Sequence, residues 1–357
     1  MKAFALGSTS SLVTLRSTFI AFTLVGSWAL SACGSGPSPG GTQVSADAAL
    51  PGADGDGDAG AHASDAAMQA GPPPTDSPDL GMSPPPPSGI GPAGGSVNLL
   101  HVGITGDSRP PSCEDTAHYP SAIVTAIAKQ FQQQKVDFAL DLGDHMYVCN
   151  DDLPTATTQM GLYMSAIQSY VGTWFMTMGN HECWKGPCLQ GSTNANYVAY
   201  MKALAPIASL PYYSFDVTTS KGLVTFVVVA DNGWDSAQAT WLESTLSTAD
   251  AKAAYTIVAR HHPEGDHTVS TNAASMTIIR AHKFALFLTG HDHLYKHMTT
   301  DSGRDLVFGA GGAPLIAGGA FHGYVILDQE ASGDLKLTVY DVATNLVQDT
   351  WSVGPNQ

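Results

Sequence analysis

Short apolar runs alternate with amphipathic stretches along most of the chain after residue 96. Runs bounded by glycine or turn residues predict buried strands, and apolar residues repeated every three or four positions predict helices that cover a sheet. The alternation therefore predicts an α/β domain over residues 97–357. Helices are predicted at 119–134, 154–170, 195–205, 236–246 and 273–281, and strands at 97–104, 136–142, 173–178, 212–217, 223–230, 255–259, 284–289, 306–309, 323–327 and 335–340.

Residues 34–96 show no such periodicity. The segment consists mainly of glycine, proline, alanine, serine and aspartate, and it contains no lysine, arginine or aromatic residue. A stretch of this composition buries too little apolar area to offset the entropy lost when the chain becomes ordered. The sequence therefore predicts a disordered linker ahead of the domain.

Residues 1–33 have the pattern of an export signal. Lys2 and Arg16 supply positive charge, and the apolar core that follows is too short to span a bilayer comfortably. The core ends in Leu30-Ser31-Ala32-Cys33, which resembles the bacterial lipoprotein signal and implies lipidation of Cys33. The alternative is an ordinary secretory signal without a lipid. We expect an exported protein that its lipid anchors to the periplasmic or cell-surface face of a bacterial envelope.

Composition narrows the function classes. Hydrophobic residues make up 43% of the chain, enough for a large core, whereas charged residues make up only 13%. The formal net charge of −16 disfavours binding to nucleic acid or to an anionic membrane surface. The 13 histidines nearly equal the 15 lysines and arginines, which directs attention to metal binding.

Four cysteines follow Cys33, and export would place them in an oxidising compartment where disulfides form. Two disulfides are expected, and four cysteines allow three pairings. Cys183 with Cys188 is the local choice, and Cys113 with Cys149 would then tie two loops together. A zinc site of four thiolates is the alternative, although the spacings do not suit one.

Acidic, amide and imidazole side chains follow five of the predicted strands. Because ligands of α/β sheets bind at the carboxyl ends of the strands, these side chains are expected to share one crevice. Carboxylate, amide and imidazole groups are also common metal ligands. The sequence thus predicts a two-metal site assembled from five loops. The five stretches are Thr105-Gly106-Asp107, Gly143-Asp144, Gly179-Asn180-His181-Glu182, Val258-Ala259-Arg260-His261 and Gly290-His291-Asp292-His293.

In order and spacing, these motifs resemble the metallophosphoesterase (calcineurin-like phosphoesterase) superfamily over residues 99–297. The first motif of that superfamily is Asp-x-His, whereas this chain has Asp107-Ser108-Arg109 and lacks the histidine. Tyr147, three residues after Asp144, resembles the tyrosine found in the purple acid phosphatase branch, which lacks the same histidine. The resemblance implies an α/β (α+β) fold, a four-layer αββα sandwich with two mixed β-sheets.

The same resemblance implies the metal ligands. Asp144 would bridge two cations, one of them implied to be Fe(III) and the other Fe(II), Zn(II) or Mn(II). A phenolate suits the ferric ion, and an amide with two imidazoles suits the divalent one. The implied ligands besides Asp144 are Asp107, Tyr147 and His293 for the first cation, and Asn180, His261 and His291 for the second.

The implied activity is hydrolysis of phosphomonoesters by a metal-bound hydroxide. His181 would stabilise the transition state or protonate the leaving oxygen, and Glu182 would orient its imidazole. We further expect Arg109, His145 and His262 to contact the substrate, an inference from their positions and not from the family pattern. The alternatives are a phosphodiesterase or nucleotidase of the same superfamily, and a surface binding protein that keeps the metals without turnover.

Overall fold

The computed structural model describes residues 89–186, 188–266, 272–298 and 303–357. The predicted export signal with its lipidation site Cys33, and most of the predicted linker, lie outside these residues. None of the helices in the described part is long and apolar enough to cross a membrane.

The described residues form five α-helices and 14 β-strands. The helices are α1 (Ser121–Gln134), α2 (Leu153–Ile167), α3 (Ala195–Leu204), α4 (Ser236–Lys252) and α5 (Asn272–Arg280). The strands are β1 (Ile90–Gly91), β2 (Gly94–Ser96), β3 (His101–Thr105), β4 (Phe138–Asp141), β5 (Thr173–Met176), β6 (Tyr213–Thr219), β7 (Gly222–Val228), β8 (Tyr255–Ala259), β9 (Leu286–Thr289), β10 (Tyr295–Met298), β11 (Asp305–Phe308), β12 (Gly323–Gln329), β13 (Leu335–Asp341) and β14 (Val347–Val353).

The strands form two mixed sheets. One has six strands in the order β14-β13-β12-β3-β4-β5, and the other has eight in the order β1-β2-β6-β7-β8-β9-β11-β10. Strands β3, β4 and β5 run parallel, as do β7, β8 and β9. The carboxyl ends of each parallel set therefore lie along one edge of its sheet, and the loops that carry the motifs begin there.

The main hydrophobic core lies between the two sheets. Four phenylalanine rings at its centre pack closely: Phe175 stacks on Phe215 at 3.8 Å between ring centroids, and Phe138 meets the edge of Phe226 at 5.2 Å. Burying each such ring stabilises the fold by roughly 1.5–3 kcal/mol. Because the two sheets share this core, their strands hold the motif loops on a rigid support.

Two further apolar clusters lie on the outer faces of the sheets. Buried residues of α1, α2 and α3 pack on the six-stranded sheet, and buried residues of α4 and α5 pack on the eight-stranded sheet. The order of layers is thus helix, sheet, sheet, helix. The four-layer αββα sandwich with two mixed sheets, which the resemblance to the superfamily implied, is confirmed.

Local sequence explains where three of the helices begin. Asp152, Asn194 and Asp235 each precede a helix, and each side chain accepts a hydrogen bond from a backbone N–H in the first turn. Such caps stabilise a helix by about 1 kcal/mol. Each predicted helix is present, although α4 continues past the predicted end at residue 246.

The predicted start of the domain at residue 97 is wrong. Residues Gly94–Ser96 form β2, which pairs in parallel with residues 216–218 of β6, and Ile90 of β1 is 3% exposed. Backbone hydrogen bonds hold this glycine-rich segment to the sheet. Such bonds do not depend on apolar side chains, so the sequence shows no periodicity there. The prediction also missed β10 and β14, edge strands with largely uncovered side chains.

Candidate metal centre

Loops after β3, β4, β5, β8 and β9 meet at one edge of the sandwich. Hydrogen bonds join them directly: the Asp107 amide donates to the Gly143 carbonyl at 2.8 Å, and the His181 amide donates to Asp144 Oδ1 at 3.0 Å. The His291 amide donates to Asp107 Oδ2 at 2.9 Å. These bonds fix the side chains of different loops relative to one another.

Three of the predicted metal ligands have left-handed backbone conformations. The φ angles are 59° for Asp107, 61° for Asp144 and 70° for His291. Each such residue costs on the order of 1–3 kcal/mol when the residue is not glycine, and residues of this kind gather at functional sites. The surrounding hydrogen bonds must therefore hold these three side chains in place against local strain.

Two glycines allow the loops to approach this closely. Gly143 has a φ of 102°, and a Cβ there would lie 2.8 Å from His261 Nδ1. A Cβ on Gly179 would lie 2.2 Å from Asp144 Oδ1. Any larger residue at either position would push two motif loops apart.

Asn180, His261 and His291 form what we call the amide–imidazole half of the site. Asn180 Oδ1 lies 3.0 Å from His261 Nε2 and 3.0 Å from His291 Nδ1, and the two imidazole nitrogens are 3.3 Å apart. Three donor atoms from three loops thus face one point.

Asp107, Tyr147 and His293 form the carboxylate–phenol half. His293 Nε2 lies 3.5 Å from Asp107 Oδ1. The Tyr147 ring lies edge-on to His181 at 4.4 Å between centroids and packs against Trp184 at 5.7 Å. These contacts place the Tyr147 ring beside the site, and none of them joins its hydroxyl to Asp107 or His293.

Asp144 lies between the two halves and is almost completely buried. Its Oδ1 atom is 3.3 Å from His261 Nε2, while its Oδ2 atom is 3.7 Å from His181 Nε2 and 3.8 Å from Arg109 Nε. Burial alone would raise the pKa of Asp144. The nearby His261 and His181 lower it by more, so the pKa of Asp144 lies well below its usual value. The carboxylate is therefore ionised and available to both halves.

Backbone carbonyls set which nitrogen of two histidines, both predicted ligands, faces the site. His261 Nδ1 donates to the Leu142 carbonyl at 2.8 Å, and His293 Nδ1 donates to the Pro314 carbonyl at 2.8 Å. Because a carbonyl only accepts, the proton of each neutral ring lies on Nδ1, and Nε2 presents its lone pair to the site. Such a partner is typical of histidines that bind metal.

The donor set fits a cation. In a neutral His261 ring, the Nε2 lone pair would face the lone pairs of Asn180 Oδ1 and Asp144 Oδ1, so this point requires positive charge. Burial lowers the pKa of His261, but the charge of Asp144 raises it to about 10. In the other half, Asp107 Oδ1 is buried and has no hydrogen-bond donor among the described residues. Burial raises the pKa of Asp107 well above its usual value, as expected where a compensating cation is needed.

His181 lies at the inner wall of the site. Its ring is 6% exposed, stacks on Trp184 at 5.0 Å between centroids and directs Nε2 toward Asp144. Burial lowers the pKa of His181 to about 4. The ring is therefore held next to the donor set, as the sequence predicted.

Glu182 does not orient His181, contrary to the prediction. One carboxylate oxygen, Oε2, accepts hydrogen bonds from the Asp144 amide at 2.9 Å and the Gly179 amide at 2.7 Å. The other, Oε1, accepts from the His145 amide at 2.7 Å. Glu182 thus joins the loops after β4 and β5 through their backbones, and it shapes the site without contacting the His181 ring.

The prediction that His145 contacts substrate is wrong. Its side chain is fully buried, with Nε2 2.8 Å from Asp141 Oδ1 and Nδ1 3.3 Å from Glu182 Oε1. The ring packs between Tyr163 and Tyr200, behind the site. Burial lowers the pKa of His145, but the two carboxylates raise it to about 10. Sequence reasoning missed Asp141, although an acid that ends a wholly apolar strand was a usable signal.

The structure contradicts the same prediction for His262, whose side chain is also fully buried. His262 Nδ1 lies 3.1 Å from Asp231 Oδ2, and its ring is 4.5 Å from the His291 ring. One of its ring nitrogens also lies within 4.8 Å of ring nitrogens of His261 and His291, so the residue packs directly against the amide–imidazole half.

Arg109 does lie in the site. Its guanidinium is over the Tyr147 ring at 4.5 Å from the centroid, and the side chain is only 16% exposed. Of the three residues predicted to contact substrate, it is the one whose position allows the contact.

Both expected disulfides are present. Cys113 joins Cys149, and Cys183 joins Cys188. The first ties the loop after β3 to the loop after β4, next to the Tyr147 carbonyl, which accepts a hydrogen bond from the Glu114 amide at 2.9 Å. The second closes the short loop that carries Trp184. The thiolate zinc site considered from the sequence is thereby excluded.

The fold and the site together define a class, an αββα protein whose strand ends bring carboxylate, amide and imidazole groups together at one edge. The chain belongs to the calcineurin-like phosphoesterase family, which matches residues 100–295. This family is dimetal-dependent and acts on phosphate esters. Among curated proteins, none matches the chain.

Three solved structures show the same fold. A purple acid phosphatase from yellow lupin (Lupinus luteus) seeds is 17% identical with a TM-score of 0.52, and the match covers 71% of this chain and 53% of the lupin chain. GAP50, the anchor in the inner membrane complex of Plasmodium, is 16% identical with a TM-score of 0.53 over 73% of this chain and 90% of its own. A dimetal phosphatase from Danio rerio is 13% identical with a TM-score of 0.50 over 72% and 99%. This chain thus spans about half of the lupin enzyme.

Proposed function

We propose that this protein is a phosphatase that hydrolyses phosphomonoesters with two cations in the metal centre. The observation that carries the proposal is the position of Asp144, a buried carboxylate between two sets of donors. Its Oδ1 atom is 3.3 Å from His261 Nε2 in one half, and the other half presents Asp107 Oδ1 3.5 Å from His293 Nε2. When bound, a pair of cations lowers the pKa of water and neutralises the phosphoryl oxygens.

The side chains around the donors supply the remaining functions. His181 is held by its backbone bond to Asp144 and by stacking on Trp184. Its imidazole would donate a hydrogen bond to a phosphoryl oxygen or protonate the leaving oxygen, and such proton transfer contributes about 10²–10⁴-fold to a rate. The Arg109 guanidinium would bind another phosphoryl oxygen. A monoester has one more free oxygen than a diester, which suits a site with these additional donors.

The metals we propose are Fe(III) in the carboxylate–phenol half and Fe(II), Zn(II) or Mn(II) in the amide–imidazole half. A phenolate from Tyr147 is a hard anionic donor, and the other half has neutral donors. Ferric iron on Tyr147 would give a visible charge-transfer band that Tyr147→Phe removes. An iron-replete protein without colour would refute the role of Tyr147 and leave the fold unaffected.

We also propose that the protein is exported and anchored by a lipid on Cys33. The support is the sequence of residues 1–33 alone. Cys33→Ala should move the protein from the membrane fraction to the soluble fraction when it is expressed in a bacterium. Unchanged fractionation, or a mature protein whose mass lacks a lipid, would contradict the anchor.

Rates on two model esters test the activity. Metal-loaded protein should hydrolyse p-nitrophenyl phosphate faster than bis(p-nitrophenyl) phosphate, and chelator treatment should remove both activities. The reverse preference would identify a phosphodiesterase. Metal-loaded protein that is inert to both esters and to nucleotides would identify a binding protein.

A further inference from the structure

Arg109 occupies the position in the first motif at which the superfamily pattern has its histidine. The structure turns its side chain inward, so that Nε lies 3.8 Å from Asp144 Oδ2 and the guanidinium covers the Tyr147 ring at 4.5 Å. The chain therefore places a permanent positive charge next to residues expected to bind the first cation.

The two oxygens of Asp144 consequently have different neighbours. Oδ1 lies 3.3 Å from His261 Nε2 and accepts the His181 amide at 3.0 Å, on the side of the amide–imidazole half. Oδ2 lies 3.8 Å from Arg109 Nε and 3.7 Å from His181 Nε2. The guanidinium is therefore close both to Oδ2 of the predicted bridging carboxylate and to the ring of Tyr147, a predicted ligand of the carboxylate–phenol half.

Arg109 also has a side-chain nitrogen available for a further contact. Arg109 Nε is buried and has no hydrogen-bond acceptor among the described residues. A buried guanidinium nitrogen without an acceptor is suited to an incoming anion.

We propose that Arg109 makes the two halves load in sequence. The amide–imidazole half takes its ion first, and the guanidinium weakens binding of the second ion because two positive charges a few ångströms apart repel. A phosphate group that binds Arg109 neutralises this charge, so phosphate and the second ion strengthen each other's binding. The inference rests on the proposed metal centre and does not require turnover.

Zinc titration of the full chain tests the sequence of loading. Metal-free protein is titrated with Zn²⁺, and bound zinc is measured by equilibrium dialysis with elemental analysis. Wild type should bind two ions in separated steps, the second at least about tenfold weaker than the first. Arg109→Gln should tighten the second step by a similar factor and leave the first unchanged. Arg109→Lys, which keeps the charge, should resemble wild type.

Lys185→Gln is the matched control, because Lys185 is an exposed cation on the loop that carries Trp184 and its Nζ donates to the Cys149 carbonyl. It should leave both steps unchanged. Inorganic phosphate should tighten the second step in wild type and have a smaller effect in Arg109→Gln.

The proposal is overturned if wild type binds both ions with one midpoint, a result that does not depend on any variant. It is also overturned if Arg109→Gln folds and keeps the wild-type titration. Sequential loading in a protein that hydrolyses no ester would refute the proposed activity and leave this inference standing.

Discussion

The two halves of the metal centre differ in what surrounds their donors. In the amide–imidazole half, three donor atoms lie 3.0–3.3 Å apart around one point, and the Asp144 carboxylate lies 3.3 Å from one of them. In the carboxylate–phenol half, Asp107 Oδ1 lies 3.5 Å from His293 Nε2, and the Arg109 guanidinium covers the Tyr147 ring at 4.5 Å from its centroid. Residue types alone would make the second set the stronger cation site, because it contains carboxylate and phenol. The fixed charge of Arg109 reverses that expectation.

A pair of histidines, one from each half, provides the largest test of this difference. His291→Ala should weaken uptake of the first ion by about 100-fold or more, since loss of even a supporting partner costs 10–100-fold. His293→Ala should leave the first ion in place and weaken only the second. Both variants should lose most hydrolysis. Zinc titration distinguishes them, and equal loss of the first ion in both would remove the asymmetry.

His181 should separate chemistry from metal binding. We expect His181→Ala to lower kcat by about 10²–10⁴-fold because it removes a proton donor next to the phosphate. Zinc uptake should stay at the wild-type level, since the His181 ring belongs to neither half. Steady-state rates and elemental analysis on one preparation test this. Loss of metal together with activity would show that the ring holds an ion.

Glu182 should stabilise both halves through its hydrogen bonds to backbone amides of two motif loops. Glu182→Gln weakens the bonds from the Asp144, Gly179 and His145 amides, so the free energy of unfolding should fall by about 1–3 kcal/mol. Glu114→Gln is the control, because Glu114 accepts two backbone N–H groups at 2.8 and 2.9 Å in a half-buried loop. Its effect in denaturant unfolding should be smaller, and its hydrolysis should be unchanged. Equal effects would mean that Glu182 has no special role.

The smallest effect lies far from both halves, at the partly exposed pair His101 and Asp328. The hydrogen bond between His101 Nδ1 and Asp328 Oδ1, 2.6 Å long, is the main cause of a raised pKa at His101. A raised pKa in the folded state stabilises the protein below about pH 6.5, and this stabilisation disappears as the pH rises through the folded-state value. Side-chain exposures of 30% and 40% limit the effect to about 0.2–1 kcal/mol.

Denaturant midpoints of wild type and Asp328→Asn should therefore differ at pH 5.5 and converge by pH 9. A difference that grows with pH would have the wrong sign for this pair. The comparison also gives the size of an exposed charge effect, against which the buried effects at Asp144 and Arg109 can be judged.

The sequence predicted which side chains converge at this edge of the sandwich because each follows a short apolar strand. Five such strands in two shared-core sheets bring Asp107, Asp144, Asn180, His261 and His291 together, and glycines beside them mark the close approach of the loops. The same alternation predicted the α/β class, and the resemblance to the superfamily implied the order of the layers. The start of the domain could not be predicted in this way, because β1 and β2 are held by backbone hydrogen bonds and by Ile90, which leave no periodic signal.

The sequence also failed to predict the directions in which some side chains of the motif loops point. His145 and His262 are each next to a predicted ligand in sequence, yet both side chains are fully buried against carboxylates. Neighbouring side chains on a sharp turn point in different directions. Asp144 has a left-handed backbone conformation, and the side chain of the next residue, His145, packs against Tyr163 and Tyr200. Only the structure shows that Asp141 and Asp231 are the carboxylates that contact these two histidines. Arg109 was found by position, but its distance from Asp144 needed the fold.

Zinc stoichiometry of Asp144→Asn tests the central claim most directly. If Asp144 is the shared ligand of both halves, saturated wild type holds two ions per chain and the variant holds fewer than one, with a folded circular dichroism spectrum. Two ions retained per chain in Asp144→Asn would contradict the shared centre.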